Sequence, residues 1–180
     1  MLRLFSALAV VVGLFIAAPL QVAQAADSHV VYLDTKYGRA TIKLRPDLAP
    51  KHVAQIETLV KRGFYNGIVF HRVIAGFMAQ TGDPTGTGTG GSDLPDLKAE
   101  FTNKAQFVRG VVGMARSSDP DSANSQFFIM YGAQPSLDGQ YTIVGEVTSG
   151  MEAIDKLKKG DDDSGQVVNP DKIIKMQMAN

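Results

Sequence analysis

Two glutamines each stand two residues away from a large apolar side chain: Gln80 from Met78, and Gln126 from Phe128. Side chains two residues apart share a face of a strand, so each glutamine would lie beside its apolar partner. Arg72, shortly before the first pair, adds a permanent cation with fixed donor geometry. Together these residues predict an apolar socket with a polar rim. Such a socket suits a neutral, partly apolar ligand that carries carbonyl groups.

Other kinds of chemistry find less support in the sequence. His71 is the only histidine in this stretch, and no cluster of His, Asp and Glu has metal-ligand spacing. A Ser-His-Asp triad would need scattered residues, and no G-x-S-x-G elbow occurs. Gly86, Gly88 and Gly91 match G-x-G-x-x-G, but residues 92–95 read SDLP and do not open a helix. We therefore predict no metal and no cofactor. A plain structural role for His71 stays open beside any role in a site.

Residues 1–25 are interpreted as a secretory signal peptide. Arg3 is followed by an apolar run and then by Ala23-Gln24-Ala25, a small-x-small cleavage pattern. An uncleaved membrane anchor is the alternative, although the run is short for a membrane span. Residues 26–180 would then form one domain. A chain without cysteine has no disulfide and no lipid-attachment cysteine, so we expect a soluble exported protein, periplasmic in a Gram-negative cell.

The charge balance argues against two classes of partner. Cleavage of the predicted signal peptide would remove Arg3 and leave 17 basic residues against 18 acidic ones. The chain then has no excess of positive charge that would favour binding to nucleic acid. No polybasic run predicts binding to a membrane surface. The acidic run at residues 161–165 lacks the ligand spacing of a calcium loop and is interpreted as a solvated turn.

The residue patterns predict a mainly β protein with about eight short strands and two helices. The strands are joined by turns rather than by crossover helices, which favours an antiparallel sheet, closed into a barrel that removes its edges. Side chains would fill a barrel of this size and place the socket on its outer face. Strands are predicted near residues 29–33, 39–44, 107–115, 126–131, 141–147 and 173–178, and two more, joined by a turn, within residues 70–83. Helices are predicted over 51–62 and 151–159.

The two glutamine segments carry a family resemblance. Residues 70–83 read FHRVIAGFMAQTGD, which resembles the signature of the cyclophilin family of peptidyl-prolyl isomerases. Residues 125–129, SQFFI, and 137–139, LDG, match later motifs of that family in the same order. The resemblance extends from the first hairpin to the last strand. It implies a closed eight-stranded antiparallel barrel capped by two helices, and an enzyme that rotates X-Pro bonds without a cofactor.

The resemblance also implies a role for each matching residue. Arg72 would be the catalytic residue. The peptide would be bound by the other positions that the resemblance places at the site, whether or not they keep the family's residue: His71, Phe77, Met78, Gln80, Gly88, Ala115, Arg116, Gln126, Phe128, Leu137 and Tyr141. Within this set, the pocket for the proline ring would be lined by Phe77, Met78, Phe128 and Leu137.

Several positions depart from the family pattern. Arg116 and Ser117 replace the usual Asn-Ala, which predicts an altered peptide preference. Ser136 stands where many members have a large aromatic residue, so we expect weak cyclosporin binding. Tyr141 replaces a frequent histidine at the pocket rim.

Three functions remain to be compared. The first is a monomeric, exported isomerase that acts on proline-containing segments of folding proteins. The second is a non-catalytic proline-peptide-binding module or chaperone that uses the same socket. The third is a barrel that carries a small ligand in its interior, as lipocalins do.

Overall fold

The structure is a computed structural model that describes residues 29–179, so the predicted signal peptide lies outside the described residues. Within these residues, eight strands, two α-helices and one 3-10 turn at Pro135–Leu137 follow one another. The strands are β1 Val30–Thr35, β2 Gly38–Leu44, β3 Arg72–Ile74, β4 Met78–Thr81, β5 Val111–Met114, β6 Phe127–Met130, β7 Ile143–Ser149 and β8 Lys175–Met178, and the helices are α1 Pro50–Lys61 and α2 Met151–Asp155. No helix within residues 29–179 is both long and apolar enough to cross a membrane.

All eight strands belong to one sheet in the order β3-β4-β6-β5-β7-β2-β1-β8, and every pairing is antiparallel. The sheet curls around a single core, since Val73 of β3 and Met176 of β8 belong to the same buried cluster although their strands end the sheet on opposite sides. The predicted mainly β, eight-stranded antiparallel architecture with two helices is confirmed.

The predicted closure of the barrel is wrong, because β3 and β8 form no ladder with each other. Residues 166–172, which form no regular strand, run between β3 and β8. This segment contacts the β3 side through two isolated bridges, Val69 to Lys172 and Arg72 to Gln166. Asn169 within this segment has a φ of 54°, in the left-handed region, which a regular strand cannot contain. The sheet is therefore open along this seam.

Alternation along β6 separates the interior from the outer face. Phe127 and Ile129 point into the central core, whereas Phe128 and Met130 belong to a second, smaller apolar cluster on the outer face. Met78 of β4 joins this outer cluster, and Ala79 joins the core. The predicted socket residues therefore lie outside the sheet, as expected, while apolar side chains occupy its interior.

The helix α1 begins at Pro50, one residue before the predicted range of 51–62, because proline is suited to the first turn of a helix. Glu100, distant in sequence, supplies the cap: its carboxylate accepts the backbone N–H groups of Lys51 and His52, each at 3.1 Å, and contacts His52 Nδ1 at 2.7 Å. These bonds satisfy donors that the first turn of a helix leaves unpaired.

The helix α2 is shorter than predicted and ends at Asp155 rather than at Lys159. The backbone N–H of Lys158 donates to the Asp171 carboxylate at 2.8 Å instead of to a carbonyl of the preceding turn. This long-range bond draws the chain away from the helix, and the sequence pattern of α2 does not show it.

Candidate functional site

Sheet register places four chemically different positions in one row across the outer face. Arg72 on β3 is paired with Gln80 on β4, Gln80 with Phe128 on β6, and Phe128 with Gly113 on β5. Directly opposed residues in an antiparallel pair have neighbouring side chains. The row therefore runs from a guanidinium through an amide and an aromatic ring to a position without a side chain.

Gly113 makes room for the aromatic ring of Phe128. A Cβ atom at Gly113 would lie 2.5 Å from Phe128 Cζ and 2.6 Å from Phe107 Cε1, far inside normal contact distances. The rings of Phe128 and Phe107 stack with centroids 5.7 Å apart, and Tyr141 meets Phe128 edge-on at 5.8 Å. This role of Gly113 was not predicted from the sequence, because only the strand register places it opposite Phe128.

A pocket of about 110 Å³ opens above the Phe128 ring. About three or four water molecules would fill it, so it suits one small ring. Its walls contain nine of the residues predicted from the sequence: Arg72, Phe77, Met78, Gln80, Ala115, Arg116, Phe128, Leu137 and Tyr141. The structure thus brings most of the predicted site together in one place.

The guanidinium of Arg72 is held from two sides. Its Nη1 donates to Gln80 Oε1 at 3.2 Å, and its Nε donates to the carbonyl oxygen of Ser164 at 2.9 Å. None of the ion pairs found among residues 29–179 includes Arg72. Because both acceptors are neutral, the full positive charge of Arg72 stays available at the edge of the pocket.

The two glutamines, Gln80 and Gln126, connect Arg72 to residues 83–91, a loop with four glycines that we call the glycine-rich loop. Gln80 Nε2 donates to Gln126 Oε1 at 2.9 Å, and Gln126 Nε2 donates to the carbonyls of Gly88 and Gly90 at 3.0 and 2.8 Å. Gln126 and Gly88 line a larger, polar cavity of about 640 Å³ that adjoins the small pocket along Gln80. Two predicted residues, Gly88 and Gln126, therefore belong to this adjoining cavity.

Asp83 fixes the shape of the glycine-rich loop. The residue is 1 % exposed, and its carboxylate accepts backbone N–H groups of Thr85, Thr87, Gly88 and Gly90 at 2.6 to 3.1 Å. Burial raises the pKa of Asp83, but the hydrogen bonds from Thr85, Gly90 and Gly88 outweigh it and hold the pKa well below its ordinary value. Asp83 ends the motif at residues 70–83, but the sequence pattern alone predicts no role for it.

His71 lies beneath this loop and lines neither cavity. Its side chain is buried, both ring nitrogens lack a hydrogen-bond partner, and a Cβ atom on Gly88 would lie 3.5 Å from the ring. Burial lowers the pKa of His71, the positive charge of Arg72 lowers it further, and the carboxylate of Asp83 opposes both. The neutral imidazole therefore packs under the loop, and its predicted role in substrate binding stays a prediction.

The lowered pKa of His71 predicts a pH-dependent loss of stability. Below a pH of about 6.5 the unfolded chain takes up a proton at this histidine that the folded protein resists, so the free energy of unfolding falls as the pH falls. Replacing His71 by leucine should remove this contribution, which amounts to about 1.4 kcal/mol for each unit of pKa lowering. Urea unfolding at pH 7.5 and pH 5 measures it. An equal decrease in both proteins would contradict the assignment.

Few kinds of chemical group line the small pocket. Within the described part of the chain, no serine, threonine, cysteine or carboxylate lines the 110 Å³ pocket. Among residues 29–179 no group of three or more potential metal-binding side chains occurs. What the walls provide is an apolar floor, amide groups and one guanidinium. The fold and the site define a class of antiparallel β protein with a small, largely apolar external pocket beside a fixed cation.

Comparison with known proteins identifies the family. The family model described as cyclophilin type peptidyl-prolyl cis-trans isomerase/CLD matches residues 30–178. A probable peptidyl-prolyl cis-trans isomerase of Brucella suis is 58% identical over 94% of this chain and 92% of its own length. A peptidyl-prolyl cis-trans isomerase-like 1 protein of Aspergillus niger is 45% identical over 71% of this chain and 80% of its own. The chain belongs to the cyclophilin-type peptidyl-prolyl cis-trans isomerases.

A solved structure agrees with this family. A cyclophilin-type isomerase of Cryptosporidium parvum, crystallised in the presence of the dipeptide Ala-Pro, superposes with a TM-score of 0.77 and 31% identity. The match covers 84% of this chain and 99% of that chain. The chain is therefore an isomerase of X-Pro bonds with the cyclophilin fold.

Proposed function

We propose that Arg72 is the catalytic residue and that the 110 Å³ pocket holds the proline ring of the substrate. The observation that carries this proposal is the guanidinium, held by two neutral acceptors at the edge of an apolar pocket. The experiment that tests it compares the isomerisation of a short X-Pro peptide by the mature chain and by Arg72→Ala.

The reaction explains why these groups suffice. The C–N bond of a peptide resists rotation with a barrier of about 18–20 kcal/mol, because the nitrogen lone pair is delocalised into the carbonyl. Uncatalysed X-Pro isomerisation takes tens to hundreds of seconds. Twisting the bond localises the lone pair on nitrogen, where a positively charged donor interacts with it more strongly than in the planar state. Catalysis requires this preference for the transition state.

Each part of the site then has one task. The ring of Phe128 and its apolar neighbours anchor the proline while the preceding carbonyl turns. Gln80 holds Nη1 of Arg72 at 3.2 Å and keeps the guanidinium beside the prolyl nitrogen. The backbone at Ala115 and Arg116 binds the peptide; the Ala115 N–H donates to the carbonyl of Gln126 at 2.9 Å, which fixes this segment against β6.

The substrate class follows from the pocket and from the solved relative. A small apolar pocket beside a cation suits a proline-containing peptide segment, and the Cryptosporidium relative was crystallised in the presence of the dipeptide Ala-Pro. A non-catalytic proline-binding module is the second candidate. It would bind the same peptides without accelerating exchange between their cis and trans forms.

Two departures from the family pattern bear on ligand preference. The guanidinium of Arg116 donates to the carbonyl of Gln140 at 3.0 Å and lies 4.4 Å from the centre of the Tyr141 ring, which places a second cation at the pocket rim. This supports the expected change in peptide preference. Ser136 is exposed and its hydroxyl accepts a hydrogen bond from Gln134, so it adds little apolar surface. Weak cyclosporin binding stays a prediction.

We further propose that the isomerase acts on exported proteins. The proposal rests on the apolar N-terminal run and the Ala23-Gln24-Ala25 pattern, which precede the family match that begins at residue 30. Expression of the full chain in a Gram-negative host should give a periplasmic protein that begins at Ala26, as N-terminal sequencing would show. Replacing Ala25 by leucine should block cleavage, since the position before the cut requires a small residue. A wild-type product that keeps Met1 would contradict the proposal.

A further inference from the structure

The acidic turn at residues 161–165 reaches the guanidinium of Arg72. The carbonyl oxygen of Ser164 accepts the Nε–H of Arg72 at 2.9 Å, on the side of the guanidinium away from Gln80. We propose that this turn positions Arg72 for catalysis and that the carboxylate of Asp161 gives the turn the required shape. The inference rests on the proposed function, because it assumes that Arg72 is the catalytic residue.

Asp161 organises the turn through its own carboxylate. Its Oδ1 accepts the backbone N–H groups of Asp163 at 3.1 Å, of Ser164, and of Gly165 at 3.2 Å, and its Oδ2 accepts the hydroxyl of Ser164 at 2.8 Å. The backbone N–H of Gly165 also donates to the Asp161 carbonyl at 3.1 Å. An aspartate that collects backbone donors from the residues just after it is a common way to fix a tight turn.

The turn is also anchored to the sheet edge that carries Arg72. Val73 N–H donates to the carbonyl of Gly165 at 2.7 Å, and Gly160 N–H donates to the carbonyl of Val73 at 2.8 Å. Gly165 has a φ of 75°, and a Cβ atom there would lie 2.3 Å from Ile74 Cγ1 and 3.4 Å from Arg72 Cγ. The turn therefore packs directly against the aliphatic part of the arginine, and the glycine permits this close approach.

Two acceptors on different sides determine the orientation of a guanidinium better than one. The side chain of Arg72 has several rotatable bonds, and Gln80 alone would leave the guanidinium plane free to turn about a single hydrogen bond. The Ser164 carbonyl supplies the second fixed point. A loosened turn should therefore lower the fraction of molecules in which the guanidinium faces the prolyl nitrogen, while the apolar pocket that binds the ring is unchanged.

The same turn supplies matched controls. Asp162 and Asp163 carry the same charge, and among the described residues their side chains accept no hydrogen bond. Replacing Asp162 by alanine changes the local charge as much as replacing Asp161, but it leaves the bonds that shape the turn. Asp161→Asn removes the charge and keeps one carbonyl oxygen as an acceptor.

The experiment measures kcat and KM for a short X-Pro peptide with the mature chain and its Asp161→Ala, Asp161→Asn and Asp162→Ala variants. We expect Asp161→Ala to lower kcat about tenfold with KM nearly unchanged, Asp161→Asn to recover part of the loss, and Asp162→Ala to behave as the wild type. The Nε–H resonance of Arg72 in NMR spectra should broaden or exchange faster with water in Asp161→Ala alone. Thermal unfolding of each variant shows that it is folded.

The outcomes distinguish the positioning role of the turn from the catalytic role of Arg72. If Arg72→Ala abolishes catalysis but Asp161→Ala and Asp162→Ala give the same kcat, the turn has no positioning role. A rise in KM at constant kcat, or an unchanged Arg72 Nε–H resonance, would also overturn it. If Arg72→Ala keeps full activity, the proposed function itself is wrong.

Discussion

Replacing Arg72 by alanine is expected to lower kcat/KM for X-Pro isomerisation by about 100- to 1,000-fold, the usual cost of losing one preorganised donor aimed at developing charge. The guanidinium is the only cation in the described part of the chain that both lines the small pocket and is bonded to Gln80. Peptide binding should weaken much less, because the apolar pocket remains. Exchange spectroscopy on a short X-Pro peptide measures both quantities.

Two further variants sharpen this test. Arg72→Lys keeps the charge but loses the planar fork that bonds to Gln80 and Ser164 together, so we expect an intermediate rate. Arg45→Ala removes an arginine whose guanidinium is bonded to Asp47, away from the pocket, and should leave the rate unchanged. If wild type and Arg72→Ala bind the peptide and neither accelerates exchange, the chain is a proline-binding module.

Replacing Phe128 by alanine should lower kcat/KM by about 100-fold and the free energy of unfolding by about 3–5 kcal/mol. Its ring is the floor of the pocket and stacks on Phe107 at 5.7 Å. Loss of the ring removes the apolar surface that anchors the proline and leaves a cavity in the outer cluster. Because affinity for the proline ring should suffer most, KM should rise more than kcat falls.

The neighbouring Phe127 provides the control, because it points to the opposite face and packs in the central core. Phe127→Ala should destabilise the protein by a similar amount and leave the kinetics of the folded molecules unchanged. Urea unfolding gives the two stabilities, and rates are normalised to the folded fraction at low temperature. Equal kinetic losses in both variants would mean that Phe128 acts through global stability, and the pocket would need another location.

The sequence predicted the parts of the site that depend on local periodicity. Alternation along residues 126–131 placed Phe128 and Gln126 on one face, and the structure keeps both on the outer face of the sheet. The start of α1 was predicted to within one residue, at 51 against Pro50 in the structure, because it depends on local preferences. Order and spacing of the motifs were sufficient to predict the family.

What the sequence could not predict depends on contacts between distant segments. Gly113 faces Phe128 only because β5 and β6 pair in one particular register. The bonds from Arg72 to Ser164 and from Glu100 to the start of α1 join residues far apart in sequence. Neither periodicity nor composition specifies such pairings, and the same is true of the seam that leaves the sheet open.

The open seam has a consequence for how the enzyme would respond to heat. Arg72 is carried by β3, which has a continuous ladder with β4 on one side. On the other side, β3 is bonded to an irregular segment that belongs to no strand, through the backbone N–H and carbonyl of Val73. An edge strand held by an irregular segment opens locally at a smaller free-energy cost than the central strands of a domain. Opening along the seam would release Arg72 from Ser164 while the pocket floor on β6 stays in place. On warming, the protein should therefore lose turnover before it melts, and should still retain bound peptide in that interval.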